Sequence, residues 1–227
     1  MNALFVDIHS HQIHLQKDVL RVLNCYPHQV SLMTSVYSCG IHPWYVNADS
    51  LEDDVKLLND LSNDKKMLMI GECGLDKSKH VPWGDQLNAF QAQILLAEQI
   101  QKPLIIHCVN AYNEVIDLHR QHHSVPWLIH GFNGHPQLAE QLCREGFYLS
   151  FGQKQITNPK TREALLKVPL SQIFFETDDT SDTIVETYGQ AAVLLNLSVD
   201  QLKLNVQLNF ERLLGCSSDT FISDVVL

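Results

Sequence analysis

Short runs of apolar residues alternate along this chain with longer segments in which apolar residues recur every three or four positions. The short runs predict buried β-strands, and the longer segments predict amphipathic helices. The predicted strands cover residues 4–8, 19–24, 35–39, 67–71, 104–106, 127–129, 147–151 and 173–176. Strands that alternate with helices indicate parallel β/α units, and eight of them favour a TIM-type (β/α)8 barrel over an open sheet.

The predicted helices fall mainly in the second half of the chain. The first is capped by Asp85, carries apolar residues at helical spacing from Leu87 to Ala97, and is stopped by Pro103. The others lie near residues 111–122, 136–145, 159–167, 183–195 and 199–214. About ten residues separate each of the first three strands, which is too few for ordinary crossover helices. Either loops replace the first two helices, or the second predicted strand is wrong.

Composition narrows the classes of protein that the chain can belong to. The 227 residues suit a single domain over 1–227, because no linker or low-complexity stretch interrupts them. A formal net charge of −10 argues against an extended nucleic-acid-binding surface. No apolar run approaches the ~20 residues of a membrane span, and the N-terminus does not resemble a secretory signal. Six scattered cysteines without a Cys-x-x-Cys pair are expected to be reduced, so we expect a cytoplasmic protein.

Polar side chains that can bind a metal follow five of the predicted strands, at the C-terminal end of each. They are Asp7, His9, His11, Glu72, His107, His130 and Asp178. In a β/α barrel these strand ends converge on the face that carries the active site. His9 and His11 are two positions apart, so on a strand both side chains point the same way. One histidine at a strand end is more often structural, but this many buried polar groups without compensation would be costly. The joint pattern therefore favours a metal site.

Several short segments surround these positions and extend the pattern along nearly the whole chain. They are Asp-Ile-His-Ser-His (7–11), Gly-Ile-His-Pro-Trp (40–44), Ile-Gly-Glu-Cys-Gly-Leu-Asp (70–76), Pro-Leu-Ile-Ile-His-Cys (103–108), His-Gly-Phe-Asn-Gly (130–134), Glu-Thr-Asp (176–178) and Asn-Phe-Glu-Arg-Leu-Leu-Gly (209–215). Together they resemble the signature blocks of TatD-type metal-dependent hydrolases. That family belongs to the amidohydrolase-like TIM barrels and includes DNases and an aminoacyl-tRNA deacylase activity.

The resemblance implies two divalent metal ions. Its ligand set is His9, His11 and Asp178 on one ion, His107 and His130 on the second, and Glu72 as the bridge between them. Each ion lowers the pKa of bound water, so the pair could share a hydroxide. Asp178 could orient that water and take its proton as general base. Mixed histidine and carboxylate ligands suit Zn, Mn, Fe or Ni better than Mg alone.

Four further residues have possible roles in substrate binding. His42 resembles the family's substrate-contacting histidine, and the alternative is that it stabilises a turn. Lys77, Lys79 and Lys154 are expected on the open face of the barrel, where they could supply local positive charge for a phosphate. Any one of them alone is more often a solvated surface lysine.

Asp7 and Glu176 each lie two positions from a predicted ligand. They could hydrogen-bond to an imidazole, or they could simply be buried and paired. The chain departs from the family pattern after His107, where Val-Asn-Ala replaces the usual charged residues, and after Asp178, where Asp-Thr-Ser replaces Ser/Thr-Pro. These changes leave the ligands intact and put the substrate in question.

The favoured function is hydrolysis of a phosphodiester, at a nucleic-acid end or in a small phosphoester. One alternative is an ester or amide hydrolase, such as an aminoacyl-tRNA deacylase. Another is a non-catalytic metal- or nucleic-acid-binding protein, which the complete ligand set disfavours. A histidinol-phosphatase-type barrel also begins with His-x-His, but it typically carries Asp-x-His near its end, where this chain has Asp178 followed by Asp179 and Thr180. The sequence does not indicate an oligomeric state.

Overall fold

A computed structural model of the protein describes residues 3–13, 16–32 and 35–217. The described residues form eight strands, each named here in chain order. They are β1 (Phe5–Ser10), β2 (Val19–Cys25), β3 (Tyr37–Cys39), β4 (Met67–Asp76), β5 (Leu104–Val109), β6 (Trp127–Ile129), β7 (Tyr148–Phe151) and β8 (Ile173–Phe175). Their order in the sheet follows their order in the chain, and the strand pairs are parallel. This sequential parallel order is that of the TIM-type (β/α)8 fold. The predicted fold class is confirmed.

Helices accompany the strands from β3 onward. They are α1 (Leu51–Leu61), α2 (Trp83–Ile100), α3 (Tyr112–Gln121), α4 (Pro136–Arg144), α5 (Gln153–Thr157), α6 (Pro159–Leu165), α7 (Ile184–Leu195) and α8 (Val199–Leu214). Between β1 and β3, residues 11–13, 16–18, 26–32, 35 and 36 contain only one 3-10 helix, Pro27–Leu32. The short early connections are therefore as predicted, and the second strand is correct. None of the helices in the described part of the chain is long and apolar enough to span a membrane.

Three features differ from the sequence prediction. Strands β1, β4 and β5 extend beyond their predicted ends, so that His9, Glu72 and His107 lie within strands rather than after them. Helices α1 and α5 were not predicted from the sequence. Helix α2 begins at Trp83, so Asp85 lies in its first turn and is not its cap. The carboxylate still suits that position, because negative charge is favourable near a helix N-terminus.

The chain forms two compact units, and the first comprises residues 1–23 and 130–227. Within its described part, the hydroxyl of Tyr188 on α7 donates to the carbonyl of Val6 at 3.0 Å and accepts from the Val6 amide at 3.2 Å. This pair of bonds fixes α7 against β1. Helix α8 starts in a capping box between Ser198 and Gln201, an arrangement that satisfies two otherwise unpaired backbone amides.

The second unit comprises residues 24–129 and contains β3 to β6 with α1 to α3. Strands β3, β4 and β5 of this unit approach one another closely at Gly40 and Gly71. A Cβ on Gly40 would lie 2.5 Å from the Cα of Gly71, and a Cβ on Gly71 would lie 2.2 Å from the carbonyl oxygen of Ile105. Gly71 also has a φ of +130°, which side chains rarely adopt. Glycine at both positions lets β3, β4 and β5 bring the residues that follow, including Glu72, close together. One domain over 1–227 stays a prediction.

Candidate metal centre

In the first unit, His9, His11 and Asp178 form a cluster that we call the first half-site. The Nε2 atoms of His9 and His11 lie 3.5 Å and 3.6 Å from the same oxygen of Asp178, Oδ1. The His9 side chain is fully buried, whereas about a third of the side chains of His11 and Asp178 is exposed. With one buried and two partly exposed candidate ligands, the cluster is accessible to solvent, and a catalytic metal needs such an open position.

The backbone holds Asp178 against the end of β1. The amide of Asp178 donates to the carbonyl of His9 at 3.0 Å, and the amide of His11 donates to the carbonyl of Asp178 at 3.0 Å. Asp178 has a φ of +51°. Aspartate tolerates this left-handed conformation better than most residues, and such conformations cluster at functional sites. These two bonds hold the carboxylate within reach of both imidazoles.

His130 follows β6 and lies beside the first half-site. Its ring centroid is 4.3 Å from that of His9, and its Nδ1 atom is 3.7 Å from Oε1 of Glu176. The other oxygen of Glu176 accepts a short hydrogen bond from the Ser150 hydroxyl. Ligand atoms of His130, Glu176 and Asp178 lie within 4.8 Å of one another. Glu176 therefore faces an imidazole, one of the two roles expected for it.

Asp7 has the other role, that of a buried and paired carboxylate. It is fully buried and accepts from the Nε atom of Arg21 at 2.8 Å. The amide and hydroxyl of Thr177 also donate to it, at 2.9 Å and 2.8 Å. Burial raises the pKa of Asp7 to about 6, although Arg21 and Thr177 act in the opposite direction. These contacts tie β1, β2 and the segment after β8 together directly beneath the first half-site.

In the second unit, His42, Glu72 and His107 form a second cluster, which we call the second half-site. Oε1 of Glu72 lies 3.0 Å from Nε2 of His42 and 2.9 Å from Nδ1 of His107. Glu72 is almost fully buried. Nδ1 of His42 accepts a hydrogen bond from the amide of Trp44 at 3.1 Å. A neutral imidazole that accepts at Nδ1 carries its proton at Nε2, so His42 donates to Glu72 and orients it.

Two residues that sequence reasoning did not select, Asn24 and Asp76, complete the second half-site. Asn24 accepts from the amide of Glu72 at 3.1 Å and donates to its Oε2 at 3.4 Å. Oδ2 of Asp76 lies 3.1 Å from Nε2 of His107 and accepts from the indole of Trp44 at 2.6 Å. A signal for Asp76 was present in the sequence, because residues 72 and 76 face the same side of a strand.

Hydrogen bonds determine the ionisation of Asp76. Burial by itself would raise its pKa, but bonds from Ser78, Trp44 and His107 outweigh burial and lower the pKa to about 2. Both the amide and the hydroxyl of Ser78 donate to Oδ1, at 2.7 Å and 2.5 Å. Asp76 is therefore an anion at neutral pH, and it fixes the orientation of the His107 ring.

The predicted phosphate-binding lysines have different surroundings. Lys77 forms an ion pair with Glu114 and lies 5.2 Å from the centroid of the Trp83 ring. Lys154, on α5, forms an ion pair with Asp179 at 3.2 Å. Lys79 lies 3.8 Å from the centroid of the Trp44 ring. Among the described carboxylates, none lies within ion-pair distance of Lys79.

Both clusters have the chemistry of metal ligands. In each half-site the candidate ligand atoms lie within 4.8 Å of one another, close to the separation of about 4.4 Å that one ion at about 2.2 Å from each of two atoms spans at most. Imidazole nitrogens combined with carboxylate oxygens suit Zn, Mn, Fe or Ni. These donors stand near strand ends of a TIM-type fold, and fold and clusters together define a barrel with side-chain groups that could hold metal.

The chain belongs to the TatD family, because the model of that family, described as TatD related DNase, matches residues 7–215. The resemblance found in the sequence is confirmed. The chain is 33% identical over 147 residues to the metal-dependent hydrolase YabD of Bacillus subtilis, covering 61% of this chain and 56% of YabD. It is 28% identical over 177 residues to the 3'-5' ssDNA/RNA exonuclease TatD of Salmonella typhimurium, covering 73% of this chain and 64% of that protein. In both comparisons the match covers less than two thirds of the relative's length.

A solved structure supports the fold independently. The TatD homologue YjjV of Escherichia coli superposes with a TM-score of 0.80 at 20% identity, covering 93% of this chain and 98% of that one. At this level of identity the similarity concerns the fold alone. It agrees with the sequential parallel strand order described above.

Proposed function

We propose that this protein is a divalent-metal-dependent hydrolase that cleaves phosphodiester bonds at nucleic-acid ends. The observation that carries the proposal is the pair of ligand clusters, at strand ends, in a chain of the TatD family. Relatives of this chain are named as exonucleases that act on single-stranded DNA and RNA. Because the protein has a net charge of −10, binding of nucleic acid at a local site is more plausible than binding on an extended basic surface.

The proposed centre holds two divalent ions. His9, His11 and Asp178 would hold one ion, His107 and His130 would hold the second, and Glu72 would be the ligand that both ions share. When bound, the two ions activate water and stabilise negative charge that develops on phosphorus oxygens. His42 and Asn24 hold the Glu72 carboxylate in place through the bonds described above.

Asp178 is the proposed general base. About a third of the Asp178 side chain is exposed, and its Oδ1 atom lies 3.5 Å and 3.6 Å from the Nε2 atoms of His9 and His11. The carboxylate can therefore reach both the proposed metal position and solvent. It would accept a proton from the attacking water at one carboxylate oxygen and release it to solvent. Proton transfer of this kind contributes typically about 10²–10⁴-fold to the rate.

Lys79 is the best-placed cation for a substrate phosphate. Its ammonium stacks on Trp44, whose indole donates to Asp76, and Asp76 in turn contacts His107. A chain of contacts therefore runs from Lys79 to a proposed metal ligand. Lys77 and Lys154 stay possible phosphate contacts, but a phosphate would first have to displace Glu114 or Asp179.

The pairing of Lys77 and Lys154 with carboxylates favours a second candidate function, hydrolysis of a carboxylic ester or amide, such as an aminoacyl ester. With those two charges neutralised, less positive charge is available to distinguish a phosphodiester from a carboxylic ester. Phosphodiester cleavage stays the first proposal because two ions stabilise a doubly charged transition state more than a singly charged one.

The experiment is a parallel assay of metal-loaded protein on a single-stranded DNA oligonucleotide, an aryl phosphodiester and an aryl carboxylic ester. We expect the phosphodiesters to be cleaved faster, and we expect a chelator to abolish cleavage and added Mn²⁺ or Zn²⁺ to restore it. His9→Ala with His11→Ala should lose activity, whereas His123→Ala, an exposed histidine outside both half-sites, should not. Faster turnover of the carboxylic ester would establish the second candidate, and activity in the presence of the chelator would refute both.

A further inference from the structure

A cavity of about 340 Å³ opens in the second unit, and His42 is among the residues that line it. Its walls come from the segment after β2, the segment after β3 and Asp54 of α1. His42 belongs to both the cavity wall and the second half-site. A molecule that fills this cavity would therefore touch the residue that holds Glu72.

Aromatic rings form one side of the cavity. Tyr45 is 62% exposed although it contacts other rings. The rings of Tyr26 and Tyr45 meet edge to face, with centroids 5.4 Å apart at 88°. The ring of His42 lies 5.5 Å from that of Tyr45. Tyr26 and His42 thus support Tyr45 from two sides and leave part of its surface accessible.

The remainder of the cavity carries little net charge. Its lining contains no lysine or arginine among the residues that the structure describes. Its carboxylate, Asp54, is paired with His28 at 2.8 Å and accepts from the Ser50 hydroxyl at 2.8 Å. Such a wall does not attract a phosphate. It suits a flat, uncharged ring. The cavity volume is at the lower end of the range for ligand pockets, so one ring system fits better than an extended chain.

We propose that this cavity binds the nucleobase adjacent to the scissile phosphate, with Tyr45 as the stacking residue. This inference rests on the proposed phosphodiesterase function. Every base has a π-face, so aromatic stacking tolerates different sequences. The subsite would hold the base while the phosphate lies at the second half-site, which shares His42 with the cavity. Tyr26 is a positioning residue for the Tyr45 ring.

The test compares Tyr45→Ala with Tyr45→Phe, which retains the ring and serves as the matched control. Binding of thymidine 5'-monophosphate and of inorganic phosphate to the metal-loaded protein is measured by titration calorimetry. We expect Tyr45→Ala to weaken nucleotide binding by about ten-fold, to leave phosphate binding unchanged, and Tyr45→Phe to resemble the unmodified protein. Circular dichroism melting checks that each variant is folded. No effect of Tyr45→Ala, or equal loss for nucleotide and phosphate, would overturn the proposal.

A second measurement separates this inference from the proposed function. Saturation-transfer NMR with thymidine and the full chain needs neither metal nor catalysis. Signals on the base protons that disappear in Tyr45→Ala would support the subsite even if the protein cleaved no phosphodiester. Conversely, phosphodiester cleavage with the same KM for oligonucleotides in Tyr45→Ala would leave the proposed function standing and overturn the subsite.

Discussion

Asp76→Asn is expected to destabilise the second unit substantially. Asp76 is 1% exposed. One of its oxygens accepts two bonds from Ser78, and the other accepts from Trp44 and contacts His107. Asparagine offers only one acceptor oxygen, and its amide group can only donate at the other position. In either orientation of the side chain, the amide group of asparagine faces an N–H that can only donate, that of Ser78 or that of Trp44.

The magnitude follows from the number of contacts that are lost. A hydrogen bond to a charged group contributes roughly 1.5–3 kcal/mol, and bonds that share one acceptor are not additive. We therefore expect a loss of about 3 kcal/mol in the free energy of unfolding. At roughly 2–4 °C for each kcal/mol in a domain of this size, Tm should fall by about 6–12 °C.

The assay is thermal unfolding of the metal-free protein at pH 7, followed by circular dichroism. The pKa of Asp76 lies at about 2, below its ordinary value of 3.8. The stability from its ionised form is therefore fully present above pH 3.8 and is lost as the pH falls through 2. Asp117→Asn is the matched control, because Asp117 is 68% exposed and pairs with Arg120 at only 3.5 Å. A Tm for Asp76→Asn as high as that of the control would refute the reasoning.

Three further predictions concern single side chains. Asp178→Asn should retain part of the bound metal and lose about 10²-fold or more in rate; near wild-type turnover with saturating Mn²⁺ would mean that another group takes the proton. Lys79→Ala should raise KM for oligonucleotides several-fold and leave an aryl carboxylic ester unaffected, whereas Lys154→Ala should change KM less; equal effects of the two variants would remove Lys79 from the phosphate site. Tyr188→Phe should lower the free energy of unfolding by about 2 kcal/mol, because it removes the hydroxyl that bonds to the buried amide and carbonyl of Val6. An unchanged midpoint of urea denaturation would contradict this prediction.

The sequence predicted the strands well because their signal is local. Apolar runs were enough to place the eight strands that the described residues form, and the short distances between the first three left two alternatives, loops in place of helices or a wrong second strand. The ends of the strands were less well predicted. Gly71 was taken as the end of a strand, but β4 continues for five residues past it. Glycine stands inside the strand because the backbone of Ile105 approaches too closely for any side chain, and such an approach has no sequence signal.

Each proposed ligand follows or ends an apolar run, and the family resemblance supplied the grouping of these residues, which stays a prediction. The residues around them were harder to predict. Asn24, Trp44 and Asp76 contact the second half-site from different strands and loops, so only the fold shows that they meet. Likewise, Tyr26 and Tyr45 are 19 positions apart with no pattern that links them, yet their rings are in contact. Helix α1 was missed although Ser50, Leu51, Val55 and Leu58 provide a cap residue and helical spacing.

Electron paramagnetic resonance of the Mn²⁺-loaded protein tests most directly whether the six proposed ligands, His9, His11, Glu72, His107, His130 and Asp178, form one binuclear centre. Two Mn²⁺ ions bridged by Glu72 are expected to give a broad, spin-coupled spectrum once both positions are filled. In His9→Ala with His11→Ala, the first half-site loses two of its three ligands, so the spectrum should revert to that of an isolated ion. Two additive, uncoupled signals in the unmodified protein, or a spectrum unchanged in the double variant, would contradict the account.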